Sequence, residues 1–119
     1  MIVEELADLI LQSGAIEEPL VRLAQKARAS GIHLVLATQR PDAQTFSGLL
    51  RSNIPSRIAL TVQKATESRI ILDDVGAEQL LGKGDMLVKL IGQPLIRVHG
   101  VLIAHDDIAQ GVARAKRTN

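Results

Sequence analysis

The sequence predicts an α/β fold: a mainly parallel sheet flanked by helices, with a β-hairpin near the C-terminus. Three observations lead there. Leu34, Val35, Leu36 and Ala37 form a continuous apolar run. A short run of this kind, bounded by breakers, suits a strand buried on both faces of a parallel sheet. Segments of helical period then alternate with further short apolar strands. Last, Asp85–Leu90 and Leu95–Leu102 flank Gly92-Gln93, the pattern of a hairpin. The apolar run has a polar exit, Thr38-Gln39-Arg40, closed by Pro41. Proline lacks an N–H and disfavours helix in the residue before it, so the strand ends there. Three polar side chains thus arrive at a strand's carboxyl end, where open α/β sheets place their ligands.

The elements follow in order. Met1–Val3 reads as the last turn of a strand running into Glu4-Glu5. Leu6, Leu9 and Ile10 form one face of a short helix that Gly14 ends. Glu17 and Glu18 open the next helix, with Pro19 tolerated in its first turn. Leu20, Leu23, Ala24 and Ala27 recur at the helical period as its buried stripe, and Gly31 stops it. Asp42–Arg51 reads as a loop and short helix, and Ile54–Val62 as an alternating strand with Pro55 at its start. Ala65–Leu72 is a helix carrying Arg69, and Gly76–Leu81 is a helical turn stopped by Gly82-Lys83-Gly84. After the hairpin, Asp106–Arg117 closes as a helix whose basic end suits the negative C-terminal dipole.

Composition narrows the function. A chain of 119 residues is one domain or part of one. Its 46% hydrophobic content excludes a disordered chain. Phe46 is the one aromatic residue, so the core is built from Leu, Ile, Val and Ala, and base stacking is excluded as a major binding mode. The net charge of +1 gives no global attraction to nucleic acid or membrane, although a local basic cluster stays open. The absence of cysteine removes disulfides, thiolate zinc sites and cysteine nucleophiles, and fits a reducing compartment. No apolar run reaches the roughly 20 residues that span a bilayer. Glu4, Glu5 and Asp8 follow Met1 directly, which argues against a signal peptide.

Several residues stand out. Two adjacent acids at a strand's end can hold Mg²⁺ and orient a water in nucleotide hydrolysis. Glu4-Glu5 is equally the ordinary acidic first turn of a helix. Gln39 can both donate and accept hydrogen bonds, and Arg40 carries a permanent charge. Arg28, near a helix C-terminus, is a solvated cation favourable to the dipole unless it serves a partner. His33 reads as a strand-opening residue. His99 and His105 are too far apart in sequence for a local metal pair, and no histidine metal site is expected.

Glu4-Glu5-Leu-Ala-Asp8, Arg22–Arg28, Gly31–Pro41, Asn53–Ala59, Ser68-Arg69 with Ile71–Asp73, Gly76–Glu78, Leu80–Gly82, Gly84–Leu87 and Arg97–Gly100 occur in one order, nearly end to end. In these stretches the chain resembles the motor domain of the FtsK/SpoIIIE family of DNA translocases. The resemblance implies a partial RecA-like fold of the P-loop NTPase type. Residues 1–119 would be the C-terminal portion of such a motor. It implies a part of an ATP-driven double-stranded DNA translocase, acting in chromosome segregation at cell division or in DNA transfer. The complete motor would use ATP and Mg²⁺ and assemble as a homo-hexameric ring around duplex DNA. It would work in the cytoplasm, with a membrane anchor or a septal location of the parent protein left open. A non-hydrolysing binding or assembly module derived from such a motor is the alternative.

By the same resemblance Glu4 matches the Mg²⁺-associated acid, Glu5 the acid that orients the attacking water, and Gln39 the sensor of the γ-phosphate. Arg28 matches an arginine finger acting on a neighbouring subunit, with Arg57 as the alternative. Arg40, Arg51, Lys64 and Arg69 would line the DNA channel, where contacts to phosphates give affinity without sequence reading. Three departures stand beside the likeness. The residues contain no Gly-x-x-x-x-Gly-Lys-[Ser/Thr] loop. The usual Asp-Glu pair is Glu4-Glu5, and the segment around Ser13–Ile16 is shortened. Without a phosphate loop, the chain alone is expected to bind ATP poorly and not to turn it over.

Overall fold

Two apolar clusters, each built by helices against a small sheet, organise the molecule. The computed structural model describes residues 1–118. The order is β1 (Ile2–Val3), α1 (Leu6–Gln12), a 3-10 turn (Gly14–Ile16), α2 (Glu17–Ala27), β2 (Val35–Leu36), α3 (Gly48–Asn53), β3 (Arg57–Ala59), α4 (Ala65–Leu72), a second 3-10 turn (Ala77–Gln79), β4 (Asp85–Lys89), β5 (Ile96–His99) and α5 (His105–Thr118).

In the first half β1 and β2 run parallel, with Ile2 opposite Val35 and Val3 opposite Leu36. The ladder continues past both strands. The Ala37 N–H donates to the Val3 carbonyl at 2.8 Å, and the Leu6 N–H to the Ala37 carbonyl at 2.9 Å. Leu6, Leu20, Val21 and Leu50 form the buried centre, joined by Val3, Leu34, Leu36, Phe46 and Ile54. The loop before α3 is fixed locally. Thr45 donates its N–H and its hydroxyl to Asp42, both at 2.7 Å, and the Ser47 hydroxyl caps α3 by accepting from the Leu50 N–H.

In the second half β3, β4 and β5 form an antiparallel sheet in that order. Ala59, Leu72, Ala77 and Leu80 make its core. The hairpin between β4 and β5 begins where Gly84 meets Gly100. The Gly100 N–H donates to the Gly84 carbonyl at 2.8 Å, and a Cβ on Gly84 would lie 2.8 Å from the Gly100 oxygen at a φ of +95°. Only glycine fits that approach.

The α/β class and most element positions agree with the sequence, and α4 has the expected bounds. Four expectations are corrected. The sheet is parallel only between β1 and β2, because β3 pairs antiparallel with β4. The Leu34–Ala37 run is not buried on both faces: Val35 is 52% exposed, since β2 has one strand neighbour among the described residues and packs one face on the core. On β3 the buried residue is Ala59, while Ile58 is 62% exposed. The small Ala59 side chain allows the close approach of Leu72 and Ala77. In α2, Val21 is buried, and Leu23 and Ala24 only partly.

Candidate functional site

The parallel pair sets the site. Both strands end together, so Glu4-Glu5 leaves β1 beside Thr38-Gln39-Arg40 leaving β2. Glu5 stands at the start of α1 but makes no capping hydrogen bond to that helix. Its carboxylate turns instead to the other strand. The Thr38 hydroxyl donates to Glu5 Oε1. The Gln39 N–H donates to Glu5 Oε2 at 3.0 Å and reaches Oε1 at 3.4 Å. The Thr38 hydroxyl, and then the Gln39 amide, hold the Glu5 carboxyl below its ordinary range. Hydrogen bonds to the charged form favour it, so Glu5 is an anchored carboxylate. Glu4 is exposed, and no hydrogen bond or ion pair engages its side chain among the described residues. The Gln39 side chain is exposed, while its backbone N–H is held by Glu5.

Arg40 closes the other end of this turn. Its N–H donates to Thr38 Oγ1 at 3.1 Å, and its Nη1 lies 3.2 Å from Asp8 Oδ1 on α1. Glu5, Thr38, Gln39, Arg40 and Asp8 therefore form one connected group. The sequence picked out Glu5, Gln39 and Arg40. It gave no role to Thr38 or Asp8, because those links join residues more than 30 positions apart and depend on strand register.

Arg28 lies elsewhere. It follows the last residue of α2 and precedes β2, at that strand's amino end. It lines an open cavity of about 490 Å³ with His33, Asn53, Ser56 and Ile91 among its neighbours. It is exposed, and no acid pairs with it among the described residues. Met1 donates its terminal ammonium to the His33 carbonyl at 2.7 Å, so His33 is tied through its backbone.

Arg57, the alternative finger, is internal. Its side chain is 12% exposed. It donates to the carbonyls of Ile54, Ile71 and Arg51 at 2.9, 3.2 and 2.6 Å, and to Asp73 Oδ2 at 2.7 Å. Each nitrogen of the guanidinium is engaged within this chain, whereas Arg28 is exposed and unpaired among the described residues. Arg51 is also engaged within the chain. Its Nε donates to the Phe46 carbonyl at 3.1 Å and its Nη1 lies 3.7 Å from Asp73. These contacts draw its side chain towards the fold. Asp73, at φ +60° after α4, also takes Lys89 at 2.7 Å. Lys89 first and then Arg57 hold its carboxyl below the ordinary range. Lys64 and Arg69 are exposed at the start and in the middle of α4. The Lys64 N–H is held by Glu67 at 2.9 Å, which leaves its ammonium to solvent.

Among the described residues no helix is long and apolar enough to cross a membrane.

The family described as FtsK/SpoIIIE matches residues 1–43. Over 114 residues the chain is 55% identical to the DNA translocase FtsK of Pasteurella multocida, an alignment covering 94% of this chain and 12% of that protein. It is 51% identical over 118 residues to the DNA translocase FtsK of Streptococcus agalactiae, covering 98% of this chain and 14% of that protein. The chain thus spans a small part of the length of these relatives. Among solved structures it is similar to the pCW3 conjugation coupling protein TcpA, a monomer form with ATPgS. The TM-score is 0.83 and the identity 29%, over 97% of this chain and 36% of that one. It is also similar to the cytoplasmic domain of the Type VII secretion ATPase EccC of Thermomonospora curvata. There the TM-score is 0.78 and the identity 28%, over 84% of this chain and 12% of that one. The fold is that of part of a RecA-like ATPase motor. With half or more of its residues identical to these translocases over nearly its whole length, the chain is similar to a part of the FtsK/SpoIIIE-family motor.

Proposed function

We propose that the chain is the C-terminal portion of the ATPase core of a double-stranded DNA translocase, acting in chromosome segregation at cell division or in DNA transfer. The complete motor would be a cytoplasmic hexameric ring that takes ATP, Mg²⁺ and duplex DNA. The observation that carries the reading is the junction of Glu5 with Thr38 and Gln39 at the carboxyl ends of two parallel strands. A carboxylate kept ionised, beside a free glutamine amide, is a base and a sensor brought to one point. The relatives' names, DNA translocase, agree with it.

The donor set suits Mg²⁺ bound to phosphates. That ion usually takes one or two carboxylates together with phosphates and waters. Among the described residues no cluster of three or more His, Cys, Asp or Glu could hold a metal alone. Glu4 would therefore hold the ion together with the nucleotide. The bound magnesium nucleotide supplies the phosphoryl group and neutralises its charge. Glu5 orients a water and accepts its proton at a carboxylate oxygen. Gln39 offers its side-chain amide to a phosphate oxygen. Arg28, at the other end of β2, acts outside this site.

The test is Glu5→Gln in the complete motor that carries this sequence. Amide replaces carboxylate at constant shape, so nucleotide binding should persist. Hydrolysis should fall by about 10²–10⁴, the usual contribution of a positioned base. Unchanged turnover in that variant overturns the reading.

A further inference from the structure

Glu5 is held in a way that the reaction alone does not call for. Both carboxylate oxygens already accept protons from the strand exit, one from the Thr38 hydroxyl and the other from the Gln39 N–H. A base that already accepts a hydrogen bond on each oxygen, and whose charged form is favoured, is a weaker acceptor of a water's proton. Thr38 is itself held. Its oxygen accepts the Arg40 N–H at 3.1 Å, which leaves the hydroxyl hydrogen for Glu5. The next link is the ion pair of Arg40 with Asp8 at 3.2 Å. Asp8 lies on α1, which begins directly after Glu5. Two clasps therefore tie the start of α1 to residues 38–40: Glu5 to Thr38 and Gln39, and Asp8 to Arg40. They differ in strength. The Arg40 and Asp8 side chains are 63% and 51% exposed, and an exposed pair contributes little and is screened by salt. A phosphate, which Arg binds in a bidentate manner, competes well for such an arginine.

We propose that Thr38 is a positioning residue that restrains Glu5, and that the Asp8–Arg40 pair is the latch that duplex DNA opens. A DNA phosphate that takes Arg40 from Asp8 pulls on residues 38–40, loosens the Thr38 hydroxyl from Glu5, and frees a carboxylate oxygen for water. The idea rests on Glu5 being the base, as set out above. It adds a route by which DNA contact reaches that base through two residues of one turn.

The test is steady-state ATP hydrolysis by the complete motor carrying this sequence, with and without duplex DNA, for three variants. Thr38→Val removes the hydroxyl at nearly constant shape. Its DNA-free rate should rise by about tenfold, the scale of one charge-assisted hydrogen bond. Its ratio of stimulated to DNA-free rate should fall by the same factor, with KM for ATP unchanged. Thr38→Ser, which keeps the hydroxyl, should restore the unmodified ratio. Asp8→Asn opens the latch from the other side, and should raise the DNA-free rate while reaching the unmodified rate at saturating duplex. Parallel loss of both rates in Thr38→Val, or no change in the ratio for Thr38→Val and Asp8→Asn, overturns the restraint. Failure of the underlying reading looks different: Glu5→Gln then stays active while the unmodified motor still responds to DNA.

Discussion

Arg28 and Arg57 carry the same guanidinium in opposite circumstances. Arg57 spends its donors on three carbonyls and Asp73, and its loss would leave buried acceptors unpaired. Arg28 stands exposed beside an open cavity at the amino end of β2, while Glu5 and Gln39 stand at the carboxyl end. An arginine placed away from its own acids cannot serve their reaction, but it can serve a neighbour's. In the complete motor, Arg28→Ala should lower hydrolysis by about 10³–10⁵, the range for a finger that stabilises developing charge. ATP affinity should stay within a few-fold, because the interaction is made in the transition state. Rates of rings mixed from variant and unmodified subunits check that the defect acts across the interface; equal loss of binding and turnover would assign Arg28 to structure. At this scale the sequence was readable where polar residues leave adjacent strand ends, as with Glu5 and Gln39, which the structure brings together. It could not tell Arg28 from Arg57, since what separates them is a set of carbonyls that the folded backbone turns towards one side chain.

The elements divide in the same way. Helices α2 and α4 and the β4–β5 hairpin were legible because period, acidic first turns and glycines mark them locally. The exposed faces of β2 and β3 were not, because burial of a strand depends on what packs on each face and not on its own apolar run. Nor were the polar joints between elements. Asp73 gathers Arg51 of α3, Arg57 of β3 and Lys89 of β4. Asp85, 3% exposed on β4, takes Arg97 of β5 at 3.0 and 2.7 Å and the Leu81 N–H at 2.8 Å. Arg97 first, and then the Leu81 amide, bring the Asp85 carboxyl from 3.8 down to about 2. The folded state therefore releases this proton more readily than the unfolded one, and stability rises with pH between those values. The contribution is complete above 3.8 and is lost as pH falls towards about 2. Arg97→Gln should lower the urea midpoint at neutral pH. The gap to the unmodified chain should close as the pH drops below 3.8, where Asp85 becomes protonated in the unfolded state. A gap that stays constant down to pH 2 would show that Arg97 acts through packing alone.

Across the whole molecule, the two halves contribute different exposed cations. Arg40 lies on the turn that holds Glu5, and Lys64 and Arg69 lie on α4. With Arg51 drawn inwards, these three remain of the four basic positions that the sequence set against DNA. None has an aromatic neighbour suited to base stacking, since Phe46 is packed into the first core. Contact with phosphates fits such a surface, giving affinity that is blind to sequence and steep in salt. In the complete motor, Arg40→Gln with Arg69→Gln should weaken duplex binding by a similar factor at every sequence. Each lost contact flattens the slope of log affinity against log salt by about 0.9, so the pair should remove roughly 2. Arg51→Gln should leave that slope unchanged and lower stability instead, because its partners are Phe46 and Asp73. The comparison separates charge that faces DNA from charge that holds the fold. Binding measured by fluorescence anisotropy across a salt series, on two duplexes of unrelated sequence, decides it. An unchanged slope in the double variant places neither arginine at the DNA, and a flattened slope in Arg51→Gln returns that residue to the channel.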